Sequence, residues 1–152
     1  MRNMGKIKKI AKKTKNIRDF SSRYFNYLSS VFKKIKGNDL DNLVLELDEL
    51  RKRKGTLFVI GNGGGAANAT TMANDLGFDI LKKTKTKNTF RIVSLADNNA
   101  VVTAIANDVG YNNIFVNQLK IHFKRNDKLL IFSASGNSPN LIKAAEWVKK
   151  RS

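Results

Sequence analysis

The sequence predicts an α/β fold built on a parallel sheet and preceded by two N-terminal helices. Three observations carry that expectation. Apolar, strand-forming runs at 57–60, 90–95 and 127–132 alternate with stretches of helical periodicity, the pattern of successive βαβ units. Two of these runs end in loops of small polar residues, GNGGG at 61–65 and SASGNSP at 133–139, and ligands of parallel sheets collect outside the carboxyl ends of the strands. Residues 17–54, ahead of the first run, read as two amphipathic helices.

Composition narrows the chemistry. At 152 residues the chain has the length of one domain with a substantial core. Its formal net charge of +17 predicts attraction to anions, whether nucleic acid, phosphorylated metabolites, acidic membranes or an acidic partner. There is no cysteine, which excludes disulfides, thiolate metal sites and a cysteine nucleophile. His122 is the single histidine and reads as a surface residue among Lys120, Lys124 and Arg125. No run reaches the length of a membrane span. The basic N-terminus has no apolar h-region, so the expected location is cytoplasmic and no membrane partner is expected.

Residues 1–16 carry Arg2, Lys6, Lys8, Lys9, Lys12, Lys13 and Lys15 without one acid. They read either as an arm for nucleic acid or a membrane surface, or as a solvated extension of the next helix. The second reading is favoured, and nucleic acid is not an expected partner, because aromatic residues for base stacking are missing. From 17 to 36, Phe20, Tyr24, Tyr27, Leu28, Val31, Phe32 and Ile35 recur at steps of three and four. Asp19 near the start and Lys33, Lys34 and Lys36 near the end suit the helix dipole, and Gly37 is the expected stop. A second helix from about 39 to 52 places Leu40, Leu43, Val44, Leu47 and Leu50 on one stripe. One of the two stripes can cover the sheet. The aromatic one can equally meet another subunit.

Leu57, Phe58, Val59 and Ile60 form the first strand. Gly61, Gly63, Gly64 and Gly65, with Asn62 among them, allow left-handed angles and close backbone approach, and a helix follows. The loop is an anion cradle or a plain strand-to-helix turn. It matches neither the GxGxxG dinucleotide spacing with its downstream acid nor GxxxxGK[ST]. A polar loop is expected at 82–88, a strand at 90–95, a helix at 99–107, a turn around Gly110, a helix at 114–122, a strand at 127–132 and a last helix at 141–150. In the second loop Ser138 is placed to cap that helix and Pro139 to be its first residue. Ser133, Ser135 and Ser138 supply hydroxyls, and Gly136 a tight path, for a phosphate at a helix N-terminus.

On the stretches FVIGNGGGAANATTMANDL at 58–76, VSLADNNAVVTAIANDVGYNNIFVNQL at 93–119 and SASGNSPNLIKAAEWVKK at 133–150, the chain resembles the sugar isomerase (SIS) domain. More narrowly, it resembles the phosphoheptose (sedoheptulose 7-phosphate) isomerase group. The resemblance implies a three-layer, flavodoxin-like sheet that binds a phosphorylated sugar. Carried over by position, Ser133, Ser135 and Ser138 bind the phosphate. Asn62, Gly63, Gly64 and Gly65 line the sugar, and Asp97 or Asn98 reaches its hydroxyls. Asp75 stands where the family has a glutamate, the proposed base of an ene-diol aldose–ketose isomerisation. The resemblance also implies a homotetramer joined through the N-terminal helices, with shared active sites.

Three positions depart from the family. Gly65 replaces a serine, Thr71 a histidine that binds metal in some members, and Asp75 is one methylene shorter than glutamate. No cofactor is therefore expected, zinc included. The family's last strands, and a late helix bearing a glutamine and a histidine, have no counterpart before Ser152. The expected organisation is a basic extension at 1–16 and an SIS domain at 17–152, with helices at 17–54, an αβ core at 55–152 and the last strands missing. The resulting expectation is a poorly active isomerase, or a non-catalytic SIS module that recognises a phosphosugar or a protein partner.

Overall fold

The computed structural model describes residues 4–151; Arg2 of the basic stretch lies outside the described residues. The chain forms two compact units, Met1–Glu46 and Leu47–Ser152.

The first unit is helical. Helix α1 spans Met4–Lys12 and α2 spans Ile17–Phe32. The basic stretch is thus a helix of its own and not an extension of the next one. The reason is Asn16, which is extended (φ −158°, ψ 175°) and accepts the Asp19 N–H on its side chain, a cap that starts α2 afresh. The two helices meet where the Lys6 ammonium lies 5.1 Å from the Tyr27 ring centre, a cation–π contact. Helix α2 ends four residues before the expected point. The N–H groups of Lys34 and Ile35 turn back to Val31 and Phe32 at 3.0 Å, tight three-residue bonds that close the helix. Gly37 is not the stop of α2. It opens α3, Gly37–Lys52. No residue of α2 is buried, and Phe25 and Phe32 are 66% and 65% exposed.

The second unit holds a three-stranded parallel sheet in the order β2-β1-β3, with β1 at Thr56–Gly61, β2 at Arg91–Ser94 and β3 at Lys128–Phe132. The central strand is buried on both faces, as a parallel strand must be. Alternation sends Phe58 and Ile60 to one side and Leu57 and Val59 to the other. The first side packs on α6 (Asn99–Val109), α7 (Ile114–His122) and α8 (Pro139–Lys149) through Val102, Ile105, Phe115, Leu119, Leu141 and Ala144. The second side meets Leu47 and Leu50 from the end of α3, and Ala69 and Met72 from α4 (Gly64–Ala73). Helices on both faces make three layers.

In this second unit most boundaries fall within two residues of expectation, and the largest difference is at 82–88. Helix α4 runs on through a π-helical turn at Asn74–Asp79 into α5, Ile80–Thr84, so the predicted loop at 82–88 begins inside a helix. Lys85, left-handed at φ 51°, ends it. Helix α8 starts at Pro139 with Ser138 as its N-cap residue, the roles expected of those two positions, two residues ahead of the stretch expected at 141–150.

Candidate functional site at the carboxyl ends of the strands

The register of β1 and β3 builds the site. Gly61 lies opposite Phe132, so Asn62 and Ser133, the next residues of each chain segment, leave the sheet side by side. Their loops enclose a cleft of about 710 Å3 lined by Asn62, Gly64, Gly65, Asn68, Ser133, Ser135 and Ser138, with Phe132, Ala134 and Leu141 as its apolar part. None of these side chains is ionisable. The cleft offers amide groups, hydroxyls and the N-termini of α4 and α8.

Gly63 caps α4 with φ 52° and ψ −118°, a combination that only glycine adopts without strain. Gly65 is where α4 presses on the sheet. A Cβ there would lie 2.6 Å from the Phe132 carbonyl oxygen. The absence of a serine hydroxyl at 65 thus goes with a backbone approach that leaves no room for any side chain.

In the serine loop, the Ser133 hydroxyl accepts the Gly136 N–H at 3.0 Å and the Ser135 hydroxyl accepts the Asn137 N–H at 3.3 Å. Ser138 is the N-cap residue of α8, yet its hydroxyl makes no cap hydrogen bond. Its carbonyl starts the helix instead, accepting from Leu141 and Ile142 at 3.0 Å. Ser138 thus lines the cleft at a helix N-terminus without spending its hydroxyl on the cap.

Asn62 is both lining and brace. Its amide and that of buried Asn140 exchange two hydrogen bonds, at 2.9 and 2.8 Å, and the Tyr111 hydroxyl donates to the Asn62 carbonyl oxygen at 3.2 Å. The pair ties the first loop to the first turn of α8. Sequence reasoning missed Asn140 and Asn68. The available signals were an amide two residues into a capped helix, and an amide one helical turn beyond Gly64 on the same face of α4.

The other predicted residues lie elsewhere. Asp97 accepts from the hydroxyls of Ser94, at 2.8 Å, and of Thr70, and does not line the cleft. Asn98 caps α6 by accepting the Val101 N–H at 3.1 Å and lines a second cleft. Asp75 sits exposed in the π-helical turn and accepts from the Asn74 amide at 3.2 Å. It too is outside the lining. A π turn widens the helix and is frequent at functional sites. Among the described residues no group of three or more His, Cys, Asp or Glu is placed to hold a metal ion. No helix among the described residues is long and apolar enough to cross a membrane.

A three-layer parallel α/β sheet with two small-residue loops meeting at its carboxyl edge is a doubly wound α/β arrangement, whose ligands bind at that edge. The family model for the SIS domain matches residues 23–152, and the chain belongs to that family. Among solved structures it is similar to the phosphoheptose isomerase GmhA from Neisseria gonorrhoeae, with a TM-score of 0.77 at 24% identity, over 90% of this chain and 71% of that one. It is also similar to a phosphoheptose isomerase from Francisella tularensis, with a TM-score of 0.76 at 19% identity, over 91% of this chain and 71% of that one. At these identities the likeness establishes the fold. No curated protein matches the sequence.

Proposed function

We propose that this chain is a phosphosugar-binding SIS domain of the sedoheptulose 7-phosphate isomerase type. In this reading the phosphate sits among Ser133, Ser135 and Ser138 at the N-terminus of α8, and the sugar lies toward Asn62 and Gly63 to Gly65. The observation that carries the reading is the pairing of Gly61 with Phe132, which sets both loops on one cleft, where the Ser138 hydroxyl makes no cap hydrogen bond. Hydroxyls and helix N-terminal N–H groups are the donors a phosphate dianion needs.

The chemistry assigned to Asp75 is proton transfer. Its carboxylate takes the proton from the hydroxyl-bearing carbon beside the sugar carbonyl, and the electron pair forms the ene-diolate. The proton is returned to the former carbonyl carbon, and the hydroxyl proton of the first carbon passes to the oxygen of the second, so that carbonyl and hydroxyl exchange places. Asp75 lies outside the lining in one chain, so the step requires an active site completed across subunits. Exposed Phe25 and Phe32 on α2 are the apolar surface we assign to a homotetramer, and light scattering at several concentrations checks it. Catalysis is tested by exchange of the substrate C–H proton of sedoheptulose 7-phosphate with solvent deuterium. Exchange above the level of Asp75→Ala is expected; equal rates would remove the base.

One observation favours a second reading, a non-catalytic module that recognises a phosphosugar or a protein partner. The cleft has no ionisable lining side chain, hence no general acid or base of its own. That reading predicts phosphosugar binding that survives Asp75→Ala and weakens by about tenfold or more in the Ser135→Ala, Ser138→Ala double variant. Absence of any phosphosugar binding sinks the first reading and leaves of the second only the protein-partner form.

A further inference from the structure

A second, larger cleft, of about 770 Å3, opens at the amino ends of the strands and runs along the β2 face as far as Asn98. Its rim carries Arg53, Lys54, Arg91, Lys124 and Arg125. Two turns supply most of these cations, and the turns are clamped together. The carboxylate of Asp127 accepts the Thr56 N–H and the Lys124 N–H, both at 2.7 Å. Gly55 lies so close to the second turn that a Cβ on it would sit 2.3 Å from the Asn126 carbonyl oxygen. Arg91 is held by a 3.4 Å hydrogen bond to the Lys54 carbonyl.

The charge on this rim is not neutralised. Asp127 is the only acid in the lining, and its oxygens are taken by backbone N–H groups. Arg53 pairs with Glu49. Among the described residues no carboxylate forms an ion pair with Lys54, Arg91, Lys124 or Arg125. Fixed like charges gathered in a concave site focus potential on an anion of matching valence. Four unpaired cations exceed what one phosphate monoester neutralises. The cleft continues past them onto an apolar wall of Phe58, Val93 and Ile121, the last two exposed at 44% and 74%. A planar base on that wall, with its phosphates on the rim, satisfies both halves.

We propose that the amino-end cleft binds a nucleoside polyphosphate, at a site separate from and independent of the phosphosugar reading. The test is calorimetric titration of the full chain with ATP and, in parallel, with inorganic tripolyphosphate and a short single-stranded oligonucleotide. Saturable one-to-one binding of ATP is expected, weakened by about tenfold or more in Lys54→Glu, Arg125→Glu. The reversal Lys33→Glu, Lys34→Glu, at two residues that do not line the cleft and with an equal change of net charge, is expected to cost less than about twofold. Both pairs are surface side chains, and circular dichroism checks that the variants fold. Equal weakening by the two pairs would mean that net charge alone attracts the ligand. Tripolyphosphate binding as tight as ATP would remove the base-reading wall. Saturation by the oligonucleotide but not by ATP would assign the cleft to nucleic acid. Each of these three results overturns the proposal.

Discussion

The two rims of this one sheet are built on opposite principles. At the carboxyl rim, ten residues line a cleft without an ionisable side chain, and its polar groups are amides, hydroxyls and helix ends. At the amino rim, cations crowd around a single carboxylate that is spent on backbone N–H groups. The first rim suits an anion through directional donors at close range; the second attracts one through net charge. The chain's charge of +17 therefore says little about the cleft where the family's chemistry is sought. Uncharged donors are indifferent to salt compared with exposed cations, whose reach falls within about 10 Å at 0.1 M ionic strength.

The contrast can be broken at its supports. The largest effect is expected at Asp127. Asp127→Ala deletes two charge-assisted hydrogen bonds that join Thr56 to Lys124 and should cost about 3 kcal/mol in denaturant unfolding. ATP binding at the amino rim should weaken while phosphosugar binding persists. Gly65→Ser restores the family's serine but brings a Cβ to 2.6 Å from the Phe132 oxygen. It should destabilise the chain by about 2 kcal/mol; a neutral melting temperature would show that α4 can shift. Asn140→Ala leaves the Asn62 amide without its reciprocal partner and should cost about 1–2 kcal/mol. Its effect on ligands should be confined to the carboxyl rim.

The smallest effect concerns one carboxylate pinned by an arginine. The hydrogen bond from Arg23 holds the Asp19 carboxyl below its ordinary value, helped by the Lys15 N–H. A depressed folded value means that the contribution is present above the unfolded value of about 3.9 and is lost as pH falls through the lowered one. An NMR titration should place the Asp19 midpoint below the ordinary aspartate value of about 3.9, and molar salt should raise it toward that value. A midpoint at the ordinary value at low salt would show that the Arg23 contact is not maintained in solution.

Much of the fold was legible because its signals are local. The helix at 114–122 and the strand at 127–132 follow from periodicity, and the cap of α8 from Ser138 and Pro139. The early end of α2 was not, because turn-closing bonds at Lys34 and Ile35 carry no residue signature. Nor was the π turn over Asn74–Asp79, which α4 and α5 enclose without a proline or an extra glycine cluster to announce it. At the site, the serine loop and Asn62 could be named from their loops. Asn140 could not, because its role depends on a partner 78 positions away.

Sequence alone determined the charge, the alternation of strand and helix, the two small-residue loops and the cap at Ser138, since each is written within a few consecutive residues. Tertiary structure decided which of them meet. Parallel strands are joined through long crossovers, so the pairing of Gly61 with Phe132 and the bond from Thr56 to Asp127 are properties of the closed sheet. One pairing makes a neutral cleft at the carboxyl rim and the other a cationic cleft at the amino rim. No short-range pattern distinguishes them, because the residues of each rim come together only once β1 lies between its two neighbours.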